Sequence, residues 1–270
     1  MCRLLNVSRS CYYYWLTASP SIRQLENTRL SHLIKKVFIE GRATYGSRRI
    51  RRELIKMGEK ISRRRVIKLM KEKQLTCKTK KKFKVTTDSK HDQPIAPNLL
   101  KRAFNANKPN QKYVGDITYI WTQQGWLYLA VVIDLFSRKV VGWSMDKTMT
   151  ASLVNEALLM AIWHRKPGAG LIWHTDRGSQ YASDSHRQIL KDHSIIQSMS
   201  RKGNCWDNAV SESFFHTLKT ELTHHLTFKT REEAKQEIFE YIEVFYNQKR
   251  THSANDYYSP VIFEKLMKFN

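Results

Sequence analysis

Three carboxylates stand out because their surroundings do not account for them. Asp116 interrupts YVGDITYIW, a run otherwise apolar or β-branched. Aspartate is disfavoured in strands, and buried carboxylates are rare unless paired or bound to metal. Asp176 closes the apolar run LIWHTD, and Glu212 lies between Val210 and the pair Phe214-Phe215. Taken singly, Asp176 reads as a turn residue and Glu212 as a solvated helix residue. Taken together, on elements able to meet at one end of a sheet, the three suggest a shared cation. Oxygen ligands with no nearby cysteine or histidine cluster favour Mg2+ or Mn2+ over zinc. Asn208, Glu212 and Lys219 fall at i−4, i and i+7, so an amide, an acid and a cation share one helix face.

The elements that must position these residues are legible from residue 111 onward. YVGDITYIW, WLYLAVVID and KVVGWSM read as strands separated by turns, followed by the helix TASLVNEALLMAIWH and the strand LIWHTD. Ser183 caps the next helix, IIQSMS is a further strand, and a final long helix opens near Asp207, itself a plausible N-cap. Three strands, then helix, strand, helix, strand and helix, give a mixed α/β layer. The tryptophans Trp121, Trp126, Trp143, Trp163 and Trp173 alternate with aliphatics and read as core. His174 reads as a hydrogen-bonded structural residue, and Asp134 as the holder of Arg138 or of the turn backbone. Arg177-Gly178 turns the chain, with Gly178 expected to let the backbone pass close to a bound partner.

Charge separates the chain into two parts. It carries 47 Lys+Arg against 24 Asp+Glu, a net of +23, and the first 110 residues hold 28 basic and 7 acidic residues, a net of +21. So one-sided an excess points to a polyanion, double-stranded DNA above all. Residues 46–57 place Ile50, Leu54 and Met57 on one helix face, Gly58 interrupts, and Ser62 caps a second helix with Val66, Leu69 and Met70 as its stripe. The pair reads as a helix-turn-helix or as a plain helical hairpin. Arg63, Arg64 and Arg65 favour the former, because the helix dipole disfavours cations at an N-terminus and a bound phosphate would reverse that penalty. Lys80, Lys81 and Lys82 belong to a basic segment that either tracks phosphates or is a bare tether. The domain expectation is a helical segment over 1–45, a helix-turn-helix over 46–76, a linker over 77–108 and a core over 109–270. No apolar run is long enough to span a bilayer, the N-terminus lacks a signal-peptide core, and the four cysteines show no CxxC pairing. The expectation is a cytoplasmic protein, nucleoid-associated when on DNA, with no membrane partner.

Asp116 and Asp176, with Glu212 a further 35 intervening residues on, resemble the DDE triad of retroviral-integrase-like transposases. The flanks VGDITYI, VVIDLFSRKVVGW, WHTDRGSQY, GNCWDNAVSESFF and YNQKRTHSAN, with the helix-turn-helix and VSRSCYYYWL, resemble the OrfB product of the IS-three family of bacterial insertion sequences across essentially the whole chain. Departures are Tyr113 where Trp is common, Thr251 within Arg250-Thr251-His252, and Asn255-Asp256 for Leu-Gly. The resemblance implies an RNase H-like five-stranded mixed sheet flanked by helices. It implies two Mg2+ (or Mn2+) ions held by Asp116, Asp176 and Glu212, and 3′-end cleavage with strand transfer. It also implies phosphate contacts from Lys219, DNA or water orientation by Asn208, an upstream OrfA portion, and homo-oligomers on DNA. Arg250 and His252 are candidate phosphate contacts, with packing of Phe245 and Tyr246 the alternative for their block. A DNA-binding regulator and an RNase H-like nuclease without joining activity remain as competing readings.

Overall fold

The computed structural model describes residues 2–78, 94–201 and 205–267. The chain divides into two compact units, residues 1–77 and 78–270.

In the first unit, α1 (Arg9–Thr17) is capped by Ser8 and buries no side chain. Ser21 and Gln24 form a reciprocal capping box that starts α2 (Ile22–Glu40). Leu30, Ile34, Val37 and Phe38 of α2 pack with Ile50 and Leu54 of α3 (Ser47–Lys56) and with Val66, Leu69 and Met70 of α4 (Arg63–Glu72). The helix-turn-helix pair therefore shares its core with a third helix. Met57 departs from its expected stripe: it is the exposed C-cap of α3, and Ile61 from the turn is buried instead. Gly58, at φ +88°, supplies the left-handed turn between the two helices.

In the second unit, β1 (Lys112–Thr122), β2 (Gly125–Asp134), β3 (Val140–Asp146), β4 (Ile172–Thr175) and β5 (Ile196–Met199) form one sheet in the order β3-β2-β1-β4-β5. The first three strands are antiparallel, and β4 and β5 run parallel to β1. This is the expected five-stranded mixed sheet. From Leu129 to Asp134 every residue of β2 is buried, as a central strand covered on both faces requires. On one face α5 (Ala151–Arg165) presses so closely that a Cβ on Gly142 would lie 2.2 Å from the Ala157 carbonyl oxygen. The short α6 (Ser179–Ala182) and α7 (Asp184–Asp192), capped by Ser183, complete that layer. α8 (Ala209–Glu221) runs beside β1, and α9 (Arg231–Phe239), continued by a π-helical turn over Glu240–Tyr246, packs against β2. α10 (Pro260–Met267) ends the described chain.

Polar clusters lock these layers. Asp134 accepts from the backbone N–H groups of Asn110 and Phe136 and pairs with Arg165, which also holds Glu264. Asp134 thus holds the turn backbone, the second of its two expected roles, and its cation is Arg165 in place of Arg138. Asp207 caps no helix: its carboxylate collects Asn98, Arg102 and Arg201, while Asn208 precedes α8. Residues 94–108, expected within a linker, are fastened to the sheet. Leu100 is 2% exposed, Leu99 N–H donates to Ser198 Oγ, and Lys112 Nζ donates to the Ala103 and Asn105 carbonyls. Lys80, Lys81 and Lys82 lie outside the described residues.

Candidate active site

β1 pairs with β4 only over Lys112–Val114. Asp116 sits just beyond that pairing, and Asp176 directly follows β4. Two neighbouring parallel strands thus deliver two carboxylates to the place where the sheet opens. Asp116 Oδ1 accepts from Ile117 N–H at 2.8 Å, and Asp176 Oδ1 from Gly178 N–H at 2.9 Å. Gly178 has φ −59°, so no left-handed backbone calls for glycine there. Its missing side chain serves Asp176 instead: a Cβ would stand 3.1 Å from Asp176 Oδ1.

Burial pushes the Asp116 carboxyl well above its ordinary pKa, and the charges of Asp176 and Glu212 push it further. Lys219 and the Ile117 N–H offset only part of this. Glu212, on the first turn of α8 with an exposed side chain, is raised by partial burial of its carboxyl. Tyr181 is also pushed up, by burial and then by Asp116 and Asp176, so it packs beside the pair. Among the described residues, no three His, Cys, Asp or Glu side chains stand close enough to form a finished metal cage.

α8 tracks β1 through its polar face. Asn208 Nδ2 donates to the Gly115 carbonyl at 3.3 Å, and Lys219 Nζ lies 4.8 Å from the centre of the Tyr119 ring within electrostatic reach of Asp116. Asn208 Oδ1 is buried without a hydrogen-bond partner. Oxygen donors that repel one another, beside an orphaned amide oxygen, fit a hard divalent cation. His174 is structural: Nδ1 meets Ser198 Oγ at 2.8 Å and Nε2 the Asp207 carbonyl at 3.0 Å.

Other candidates fall elsewhere. Arg250, read as a phosphate contact, is 4% exposed and gives both its Nε and Nη2 to Glu221, at 2.8 and 2.7 Å. Tyr241 donates to the same carboxylate, so Arg250 is consumed inside the fold. His252 is half-buried, its Nδ1 accepting from Ala254 N–H. In the N-terminal unit Arg63 and Arg64 are exposed, whereas Arg65 is held by Glu26 and Asn27 of α2. Trp173 is core as expected, but Trp121, Trp126 and Trp163 are exposed. The signal for the first two was a tight hairpin: Trp121 and Trp126 face each other across Thr122–Gly125, at the tip of the β1–β2 ribbon.

Two family models described as integrase core domain match residues 106–205 and 212–267, and one described as HTH-like domain matches 24–83. Fold and sequence together define an integrase-core enzyme preceded by a helix-turn-helix unit. The chain is 47% identical to the insertion element IS600 uncharacterized 31 kDa protein of Shigella sonnei, over 98% of this chain and 97% of that one. It is 44% identical to the transposase InsF for insertion sequence IS3A of Escherichia coli (strain K12), over 98% and 92%. The chain belongs to the IS3 family of insertion-sequence transposases. Among solved structures it is similar to the HTLV-2 integrase catalytic core domain in complex with magnesium, with 19% identity, 59% of this chain and 99% of that one covered, and a TM-score of 0.47. A chain of the simian T-cell lymphotropic virus intasome gives 18% identity, 71% and 63% coverage, and the same TM-score.

Proposed function

We propose that this transposase breaks and rejoins DNA phosphodiesters by divalent-metal polynucleotidyl transfer, with Asp116, Asp176 and Glu212 as the metal ligands. The observation that carries the reading is the electrostatic isolation of Asp116: its half-buried carboxyl faces two other acids, and Lys219 offsets them only in part. Bound Mg2+ or Mn2+, two ions in this reading, supplies charge to activate the attacking oxygen and stabilise the leaving 3′-oxygen. Asp116 and Asp176 are held in place by backbone N–H groups, so neither needs to reorganise on loading. Lys219 stands beside the acids to neutralise a phosphate, and Asn208 fixes β1 at Gly115 so that Asp116 keeps its aim. Tyr181 is buried and its hydroxyl held protonated, which suits a packing role rather than a nucleophile.

In this reading Arg63, Arg64 and the Lys80–Lys82 stretch contact double-stranded DNA, and an upstream OrfA portion and self-association on DNA complete the machinery. The test is a joining assay with a pre-cleaved 3′-OH end. Glu212→Gln is expected to lower metal-dependent strand transfer by roughly 100- to 1,000-fold, in the range seen when a preorganised electrostatic group is removed from a reacting centre. Undiminished joining in Glu212→Gln would overturn the acid assignment. Cutting without joining in the wild type would favour the plain nuclease.

A further inference from the structure

A cavity of about 290 Å3 lies at the tip of the β1–β2 ribbon, between the end of α8 and the Thr223–Phe228 segment. Its wall is aromatic. Trp121 and Trp126 lie 4.8 Å apart at 74°, and Tyr119 meets Trp126 at 5.0 Å and 84°. Such edge-to-face pairs leave ring faces turned outward. Trp121 is 59% and Trp126 43% exposed, an unusual state for large apolar rings on adjoining strands. The ammonium of Lys219 sits over the Tyr119 ring, and no carboxylate lines the cavity. A second cavity, beside Trp143, is lined by Glu156 and Glu232 against the single cation Lys235, a balance less welcoming to a polyanion.

We infer that the Tyr119–Trp121–Trp126 cluster is a stacking site for an unpaired nucleobase of the DNA strand that enters the proposed active site. A base inside a duplex has both faces covered by its neighbours, so open aromatic faces select one that has left the stack. Aromatic platforms joined to a cation are the usual way proteins hold single strands without reading sequence. The position fits. Tyr119 is three residues beyond Asp116 on β1, about 10 Å at the rise of a strand, a distance within reach of a neighbouring nucleotide. Alternation puts the rings on the face opposite the acid, but the pairing of β1 with β4 has ended by then, and Lys219 serves both places. A strand leaving the acids can pass the end of α8 toward the ribbon tip, its phosphate met by Lys219 and its base by the rings. The volume is sufficient for a flat ring system, at the low end of small-molecule sites.

The inference rests on the proposed function for the polarity of the strand, and its test does not require joining. The full chain, without divalent metal, is titrated with a short single-stranded oligothymidylate carrying one 2-aminopurine, and with the same strand paired in a duplex. Stacking on the rings quenches the probe in the single strand. Trp121→Ala and Trp126→Ala are expected to weaken single-strand binding by roughly 5- to 100-fold each and to abolish quenching, with duplex affinity unchanged. Trp121→Phe and Trp126→Phe keep a ring and should retain most of both signals. Wild-type single-strand affinity and quenching in the alanine variants would overturn the site, as would equal loss of single-strand and duplex binding. Failure here leaves the Glu212→Gln outcome untouched, and joining that survives Glu212→Gln leaves the stacking site standing.

Discussion

The catalytic unit contains two aspartates on adjacent antiparallel strands that live by opposite rules. Asp134, fully buried at the end of β2, receives two backbone N–H groups and the Arg165 guanidinium. Asp116, on β1, receives one N–H and then faces Asp176 and Glu212. Glu221 follows the first rule, with Arg250 and Tyr241 as its donors. A carboxylate enclosed with a cation holds the fold together; one enclosed with other carboxylates weakens it until a cation arrives. Burial alone separates neither kind, since it raises both Asp116 and Asp134.

That contrast makes predictions of opposite sign. The largest effect is expected at the compensated cluster. Arg250→Ala leaves Glu221 buried without its ion-pair partner and should lower unfolding free energy by about 3–5 kcal/mol in urea titrations. A loss under about 1 kcal/mol, the level of an exposed pair, would show that Arg250 is not structural.

Next is His186, which belongs with the compensated groups although it is neutral. Its Nε2 accepts from Trp173 Nε1–H at 2.9 Å, so the ring proton sits on Nδ1 and is given to Asn155 Oδ1. Burial lowers its pKa from 6.5 to about 4. The unfolded chain therefore takes up this proton before the folded one does. The stability held through His186 is complete above pH 6.5 and falls as the pH drops toward 4, by about 3 kcal/mol at 1.36 kcal/mol per pH unit. His186→Gln should flatten that part of the stability–pH curve. An unchanged slope would remove the histidine from the account.

The smallest effect has the reverse sign. The raised carboxyl of Asp116 subtracts stability as the pH rises above the ordinary value of 3.8, so at neutral pH the uncharged amide should be the more stable. Asp116→Asn is expected to stabilise the metal-free protein by about 1–2 kcal/mol while abolishing joining, the trade usual at a strained functional site. Added Mg2+ should raise the melting temperature of the wild type and leave the variant where it was. A destabilised Asp116→Asn protein would erase the distinction between the two aspartates.

Much of this was readable from the chain alone. The β-branched and aromatic runs of β1 and β2, the Ser62 and Ser183 caps and the Asn208–Glu212–Lys219 face follow from local pattern, which each segment carries within itself. The rest depended on partners distant in sequence. Asp207 looks like a cap until Arg201, Arg102 and Asn98 converge on it. Arg250 looks like a DNA contact until Glu221 is found 29 residues upstream. Trp121 and Trp126 follow the same alternation as core tryptophans, and only the end of the sheet beside them leaves them uncovered.

The fastening of the segment ahead of β1 decides where this transposase can be cut into working pieces. A fragment begun at residue 109, where the sheet's sequence pattern starts, would discard Leu100 and uncover the slot it fills. It would also strip Asp207 of Asn98 and Arg102, loosening the turn that launches α8 and its row of Asn208, Glu212 and Lys219. A fragment begun at Pro94 keeps all of these anchors. The shorter piece should express as an aggregating, weakly structured protein, and the longer one as a soluble domain.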